Sequence, residues 1–395
     1  MKVIHCRLCE STDLITWLDL GHHPHSDQFR KTKDESEIQY PLQVLVCNDC
    51  GLSQLSYVVN KEILYTEDYL YESSITETAN KHWAELADDI IKRTGISSGV
   101  SIDIGGNDGT LALKFKERGF KAINIDPCKE VTDISRKRGI KTITDFFCKK
   151  AIKGLPPADI ITGTNVFAHV NDLSELTQNV KTILKPNGVF VFESPYFGDF
   201  YKNTEYDTVY HQHLSYLSLK PLIKFFARFD MEIFDVVFSE IHGGAFRCYI
   251  ARKGERKIQP IVKKSADKEN WNLKALKKFA DKTESHRDEL MSLLWKLKGK
   301  NKSIAIVSSP AKGMTLMNYC GMKDNLIDFI TEKSTLKIGR YTPGSHIEIV
   351  PDKELIKRQP DYAIILAWNF ADEIIKNNPK YRGTWILPTN PIKII

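Results

Sequence analysis

Val100-Ser101-Ile102-Asp103-Ile104-Gly105-Gly106-Asn107-Asp108-Gly109-Thr110-Leu111 reads as a buried strand that breaks in a glycine turn and runs straight into a helix. A second strand, Ala122-Ile123-Asn124-Ile125-Asp126, ends in an acid about twenty residues further on. Glycine lets the backbone approach a ligand closely, and a carboxylate at the end of the next strand can bind a ribose diol. The turn lacks the Gly-x-Gly-x-x-Gly spacing that cradles a pyrophosphate. A cofactor with a ribose and no pyrophosphate, S-adenosylmethionine, fits better. The competing reading is a glycine turn that binds nothing, and the joint presence of turn, helix and distal acid speaks against it.

Working outward, strand and helix patterns alternate. Strands are predicted near 100–104, 121–126, 158–162 and 188–193, with helices near 110–118, 128–138 and 172–184 and one before them over 82–92. Lys185-Pro186-Asn187-Gly188 is read as the turn that ends the last helix. Such alternation gives a doubly wound parallel sheet. Candidate cofactor contacts are Asp103, Gly105, Asn107, Asp108 and Asp126, joined by Asp145 and Phe146 after the next strand and by Asn165. Beyond 250, the leucine spacing of 263–298 predicts one or two amphipathic helices. A second alternating unit follows, with a strand at 303–307, a turn at 308–313, a helix from 314 and a strand at 362–366. The fold class is therefore α/β, with a Rossmann-like sheet and a second, smaller Rossmann-like unit.

The chain has 395 residues, enough for two or three domains, and 42% apolar residues, enough for packed cores. No stretch of about twenty apolar residues occurs, so no membrane span is expected. Met1 to Cys6 has no apolar leader pattern, and a cytoplasmic protein is expected. A net charge of +6 spread over scattered lysines is no nucleic-acid footprint, but it favours the approach of an anionic substrate.

Of eight cysteines, four form two pairs, Cys6-x-x-Cys9 and Cys47-x-x-Cys50, with 37 residues between them. Two such knuckles can set four thiolates tetrahedrally on one structural zinc. A redox pair or unligated cysteines are the alternatives. His22, His23 and His25, between the pairs, are read as loop residues facing a cleft, because four thiolates already close the site. Tyr65, Tyr69 and Tyr71 either pack a domain junction or line a pocket.

The densest polar cluster is Tyr206-Asp207-Thr208-Val209-Tyr210-His211-Gln212-His213-Leu214-Ser215-Tyr216, past the fifth sheet strand. It offers general bases and hydrogen-bond donors. A His-x-His metal site is the rival reading and lacks a carboxylate or cysteine partner. His169 follows the fourth strand and is expected in the same crevice. Three glycine-containing segments can each hold phosphate or sugar hydroxyls, or be plain turns: Ile241 to Arg247, Ser309 to Gly313, and Gly339 to His346.

Taken together, these segments resemble the sugar C-methyltransferases that modify nucleotide-linked deoxysugars. The resemblance rests on the paired Cys-x-x-Cys, the Asp-Ile-Gly-x-Asn-Asp-Gly turn, Tyr-His-x-His, His-Gly-Gly, Pro-Ala-Lys-Gly, Gly-Arg-Tyr-Thr-Pro-Gly-x-His and Trp368-Asn369-Phe370, in that order along the whole chain. It implies a zinc-binding domain over 1–60, a class I methyltransferase domain over 61–250 and a substrate-binding domain over 251–395. It also implies a ketone-bearing deoxysugar on thymidine diphosphate, deprotonated beside the ketone and methylated at the resulting enolate. A monomer is expected. By motif, Tyr210 and His213 match the catalytic tyrosine and histidine, with His213 the preferred base, and His169 matches a further active-site histidine. Tyr65, His242, Gly243, Lys312, Arg340, Tyr341 and His346 are then the expected substrate contacts. One departure stands out: the usual motif is Tyr-His-Glu-His, and this chain has Gln212. Glutamine cannot act as a base but can donate to an oxyanion. The departure leaves open the same reaction with His213 working alone, a different keto-sugar, or a shifted methylation target. Gln212→Glu is expected to be tolerated. Two rivals remain: methylation of an oxygen or nitrogen, and a non-catalytic binding protein.

Overall fold

A computed structural model describes residues 1–65, 77–240 and 243–395, and leaves the side chains of Tyr65 and 77–79 undescribed. Tyr65, Tyr69, Tyr71 and His242 as ligand contacts thus lie outside the described residues.

Three sheets carry the chain. The central one has seven strands in the order Met231–Ser239, Ala245–Arg252, Leu184–Pro195, Ala158–Thr164, Val100–Ile104, Lys121–Asp126, Lys141–Thr144. All are parallel except Ala245–Arg252, which runs antiparallel to both neighbours. The order reverses beside Val100–Ile104, and the crevice at such a switch point is where open α/β sheets bind ligands. This is the expected Rossmann-like class I sheet. Its strands bury nearly continuous apolar runs, with Ile102, Ile123, Ile161 and Phe190 all in the core, as strands covered on both faces must. Leu184 already pairs with Ala158, so 185–188 is an irregularity inside the strand rather than the turn ahead of it.

The C-terminal sheet has the order Ile349–Pro351, Phe329–Glu332, Ile304–Val307, Tyr362–Ile365, Thr384–Leu387, Lys393–Ile394, parallel except for the last pair. Its first helix begins at Ala311, three residues earlier than the expected 314. Pro310 stands in extended conformation as the N-cap, which places Lys312 in the first helical turn rather than in a loop. Gly313 lets this helix lie close on the sheet, since a Cβ there would stand 2.8 Å from Leu366.

The helix Leu273–Lys298 is capped by the Asn272 side chain, which accepts the Ala275 N–H. It joins the parts. Trp17 of the N-terminal sheet packs edge-on against Phe279 of this helix and against Phe197 and Phe200 after the central sheet. The N-terminal sheet itself, Leu14–Pro24, Gln39–Cys47 and Ser53–Leu55, takes its fourth strand, Ser215–Tyr216, from just past the histidine motif. That borrowed strand fixes where Tyr210 to His213 sit. Among the described residues no helix is long and apolar enough to cross a membrane.

Candidate active site

The cofactor end is built on three strand ends. Asp126 accepts the Asn107 N–H at 3.0 Å on Oδ2 and the Cys128 N–H at 2.9 Å on Oδ1. Two backbone donors hold the carboxylate still and leave a lone pair on each oxygen for a ribose hydroxyl. Burial raises its pKa, so it gains from any further donor. Asp103 accepts the Thr162 hydroxyl at 2.7 Å on one oxygen, while Oδ2 is buried with no partner. Burial pushes its carboxyl up to about 7. An unpartnered buried acceptor beside the turn suits the ammonium of a methionine moiety. Gly105 has φ 61°, and a Cβ there would stand 2.4 Å from Val166. The residues present therefore fit S-adenosylmethionine.

The other predicted contacts divide. Asn107 and Asn165 both adopt left-handed backbone at strand ends, and the Asn165 N–H donates to the Glu193 carbonyl at 2.7 Å. Asp145 accepts the Phe146 N–H at 2.8 Å, and the Phe146 ring lies 4.1 Å beneath Lys61 Nζ. Asp108 is 1% exposed and commits Oδ1 to the Thr110 N–H and hydroxyl and to Arg138. It fastens the turn to its helix, and its Oδ2, like that of Asp103, is buried with no partner. Asp126→Ala is expected to weaken S-adenosylhomocysteine binding by about 1–3 kcal/mol, the scale of hydrogen bonds to charged groups. Calorimetry showing unchanged affinity would remove Asp126 from the site.

The histidine end is a tight turn in which the His213 N–H donates to the Tyr210 carbonyl at 2.9 Å. His213 Nδ1 lies 2.8 Å from the Thr208 carbonyl. A carbonyl only accepts, so Nδ1 carries the proton and Nε2 presents a lone pair. The Tyr210 hydroxyl donates to that lone pair at 2.6 Å. The His169 ring lies 5.0 Å from the His213 ring, and burial holds its pKa down at about 4, so it is neutral near pH 7. The structure thus brings together Tyr210, His213 and His169. Gln212 turns away: its Nε2 donates to Asp27 at 2.8 Å, and its Oε1 is buried without a partner.

The thiols of Cys6, Cys9, Cys47 and Cys50 all lie within 4.8 Å of one another, with Cys6–Cys50 and Cys9–Cys47 at 3.5 Å. Sulfurs on one tetrahedral zinc stand about 3.8 Å apart, so the four fit the metal. Between these ligands, Arg7 donates to the Leu214 carbonyl at 3.1 Å and to Asn171 Oδ1 at 3.3 Å. One arginine from the knuckle thereby ties the segment after His213 to the segment after His169.

Three family descriptions match successive stretches: a zinc binding domain over residues 6–65, a methyltransferase domain over 78–236 and a C-methyltransferase C-terminal domain over 240–389. The chain belongs to the three-part C-methyltransferases. C-methyltransferase NovU of Streptomyces niveus is 29% identical over 405 residues, covering 99% of this chain and 96% of that protein. A ubiquinone biosynthesis O-methyltransferase of Actinobacillus pleuropneumoniae is 27% identical over 113 residues, covering 26% of this chain and 48% of its own length. A solved S-adenosylmethionine-dependent methyltransferase of Clostridium acetobutylicum is 14% identical with a TM-score of 0.37, covering 44% of this chain and 92% of that one. S-adenosylmethionine is the cofactor of this C-methyltransferase, and zinc is its metal.

The predicted substrate contacts of the C-methyltransferase fall in two places. Lys312 reaches Asn369 Oδ1, and its Nζ lies 3.9 Å over the Trp368 ring. Trp368 donates to Asp207 at 2.7 Å, and Asn203 links Glu205 to the Gly243 carbonyl. Lys312 and Gly243 thus belong to one buried polar cluster around Glu205 and Asp207. Arg340, Tyr341 and His346 meet the N-terminal loop instead. Tyr341 pairs with Arg30 through both backbone groups, Arg340 donates to the Phe29 carbonyl at 3.4 Å, and His346 lies 3.2 Å from Glu37. Glu37 also accepts the Gly344 N–H at 3.1 Å, so an internal carboxylate occupies donors expected to hold a phosphate.

Burial pushes the Glu205 carboxyl up to about 8. An acid protonated in the fold and ionised in the open chain destabilises the fold increasingly as pH rises from about 4.5 to 8. Glu205→Gln is therefore expected to gain stability relative to wild type over that window. Denaturant melts at pH 5 and pH 8 giving the same difference would contradict the assignment.

Sequence reasoning missed Asp27, Arg7 and the pair His82–Glu193. Glu193 lies 3.0 Å from His82 and is held by Arg247 at 2.7 Å. Burial pushes its carboxyl up, but His82 and Arg247 outweigh it and keep it below its ordinary value. Only Glu193 carried a signal, its place at the carboxyl end of a strand.

Proposed function

We propose that this C-methyltransferase acts on a ketone-bearing deoxysugar carried on thymidine diphosphate, at the carbon next to the ketone. The observation that carries the reading is the 2.6 Å hydrogen bond from Tyr210 to a His213 whose tautomer is set by Thr208. A C–H bond is acidic only beside a carbonyl, so the reaction needs a base and a stabiliser for the enolate. His213 is the base. Because Tyr210 occupies its Nε2, the proton travels through Tyr210: the substrate proton moves to the phenolic oxygen as the phenolic proton moves to Nε2. The products are an enolate and an imidazolium. His169, kept neutral by burial, offers an N–H to the enolate oxygen. S-adenosylmethionine supplies the electrophilic methyl group. Lys312 and Gly243 hold the nucleotide sugar, helped by the net positive charge. In this reading residues 1–60 hold zinc, 61–250 the methyl donor and 251–395 the sugar nucleotide.

The test is to incubate the enzyme with S-adenosylmethionine and a panel of thymidine-diphosphate keto-deoxysugars, reading products by mass and carbon NMR. A new methyl on a ring carbon adjacent to the ketone is expected. A methyl on oxygen, or no product across the panel, overturns the reading.

A further inference from the structure

Glu193 and His82 form a carboxylate–imidazole pair that the assigned reaction does not use. His82 Nε2 lies 3.0 Å from Glu193 Oε1. Burial works to raise the Glu193 carboxyl, but His82 and Arg247 hold it below its ordinary value, so it is ionised near pH 7 and only accepts. His82 Nε2 therefore carries a proton, and the ring is left to act through Nδ1. That nitrogen has no hydrogen-bond partner among the described residues. The His82 side chain is 15% exposed, against 2% for Glu193. Arg247 grips Glu193 through Nε at 3.1 Å and Nη2 at 2.7 Å, and reaches Asp89 through Nη1 at 2.7 Å. Asp89 lies on the same helix as His82, Glu77–Thr94, about two turns further on. It also takes Arg93, which reaches Asp235 at 2.8 Å. Three carboxylates, Glu193, Asp89 and Asp235, thus share two arginines, and an imidazolium at His82 supplies a third cation.

The pair stands over the cofactor crevice. Thr162 pairs with Asp103 on one side and with Val191 on the other, and Glu193 follows two residues after Val191. Paired residues of parallel strands share a face, and so does every second residue, so Asp103 and Glu193 point to the same side of the sheet. Two strand spacings, about 10 Å, and one two-residue step, about 7 Å, separate them. The helix Glu77–Thr94 covers this face, with Leu86 and Ile90 in one core with Ile160, Val189 and Val191. The Glu193 carbonyl accepts the Asn165 N–H at 2.7 Å, and the next residue, Val166, closes on Gly105 of the cofactor turn. Asp103 offers a methionine ammonium a buried acceptor without a partner. The amino-acid end of the cofactor is a zwitterion, so its carboxylate needs a donor as well, and His82 has a ring nitrogen to spare on that face.

We propose that His82, aimed by Glu193, binds the carboxylate of the methionine part of S-adenosylmethionine through Nδ1–H. The ring then lies between two carboxylates, which favour its protonated form, and the bond is charge-assisted. Asp103 and His82 hold the two charged ends of the amino acid over one face of the sheet. Glu193 touches no ligand and is a positioning residue. The assignment goes beyond the deoxysugar reading and stands whatever the methyl acceptor is.

The experiment is calorimetry near pH 7 on the zinc-loaded full chain with two ligands. One is S-adenosylhomocysteine. The other is its decarboxylated analogue, which keeps the adenosine, the thioether and the amine and lacks the carboxylate. His82→Gln is expected to weaken S-adenosylhomocysteine about ten- to a hundredfold, the scale of a hydrogen bond between charged groups, and to bind the analogue as wild type does. Wild type should favour S-adenosylhomocysteine over the analogue by the same factor, and His82→Gln should bind the two alike. Glu193→Gln keeps an oxygen for the imidazole without the charge, and should lose part of that preference while holding the analogue. Asp103→Asn, at the ammonium, should weaken both ligands. Equal losses for the two ligands in His82→Gln or in Glu193→Gln would show a loosened fold and overturn the assignment. So would a wild type that binds the two ligands alike, a result that needs no variant to fold.

Discussion

His213→Asn is expected to slow solvent hydrogen exchange at the substrate carbon by about a hundred- to ten-thousand-fold, the usual loss when a general base is removed. The measurement uses S-adenosylhomocysteine in place of the methyl donor, so that proton removal is seen without methyl transfer. Affinity for S-adenosylhomocysteine should survive, because the groups that fit it, Asp103 and Asp126, are held by the Thr162 hydroxyl and by the backbone N–H groups of Asn107 and Cys128. Tyr210→Phe separates two versions of the same chemistry. If the proton passes through the phenol, as the 2.6 Å bond implies, the loss matches that of His213→Asn. If His213 takes the proton directly, Phe leaves its lone pair open and exchange persists. Equal exchange in wild type and His213→Asn would show that another group is the base, with His169 the first to examine.

What was legible in the sequence follows from the range over which its signals act. The strand–turn–helix at 100–117 is a local pattern, and its strand and helix appear where the apolar run and the glycines place them. The knuckles are local too, and each Cys-x-x-Cys needs only its mate to be meaningful. The sequence places the start of this helix at 314, three residues late, because Ser309, Pro310 and Gly313 are turn formers taken singly. Pro310 is instead the cap of the helix, and Gly313 a contact with Leu366, facts that require the packed sheet. The segment Gly339 to His346 looks like a phosphate loop until Glu37, hundreds of residues earlier, is seen at the Gly344 N–H and the His346 ring. Asp27 and Arg7 were invisible for the same reason: nothing in their own neighbourhoods speaks of Gln212, Leu214 or Asn171. The departure at Gln212 pointed to an altered site, but only the fold shows which acid stands beside it.

Removal of zinc, by chelation or by Cys6→Ser, is expected to abolish the ordered N-terminal sheet and turnover together. Small zinc units bind their metal with about 10–16 kcal/mol. Whole domains retain only about 5–15 kcal/mol of net stability, so a unit of this size does not keep its fold once the metal is lost. The consequence reaches the active site by two routes. Ser215–Tyr216 is a strand of the same sheet, only two residues from His213. Arg7, between two of the metal's ligands, holds the Leu214 carbonyl and Asn171, next to the segments of His213 and His169. S-adenosylhomocysteine binding should decline less than turnover, since the seven-stranded sheet has a second core, with Leu86, Leu111, Phe115, Ile160 and Val191, in which no residue of the knuckles takes part. The measurements are zinc content, melting followed by circular dichroism, and the exchange rate in one set of samples. Arg7→Ala with zinc retained should lower exchange while leaving the metal bound. Purified protein without zinc, or a Cys6→Ser variant that melts and exchanges as wild type does, would show that the knuckle neither needs a metal nor steadies the histidines.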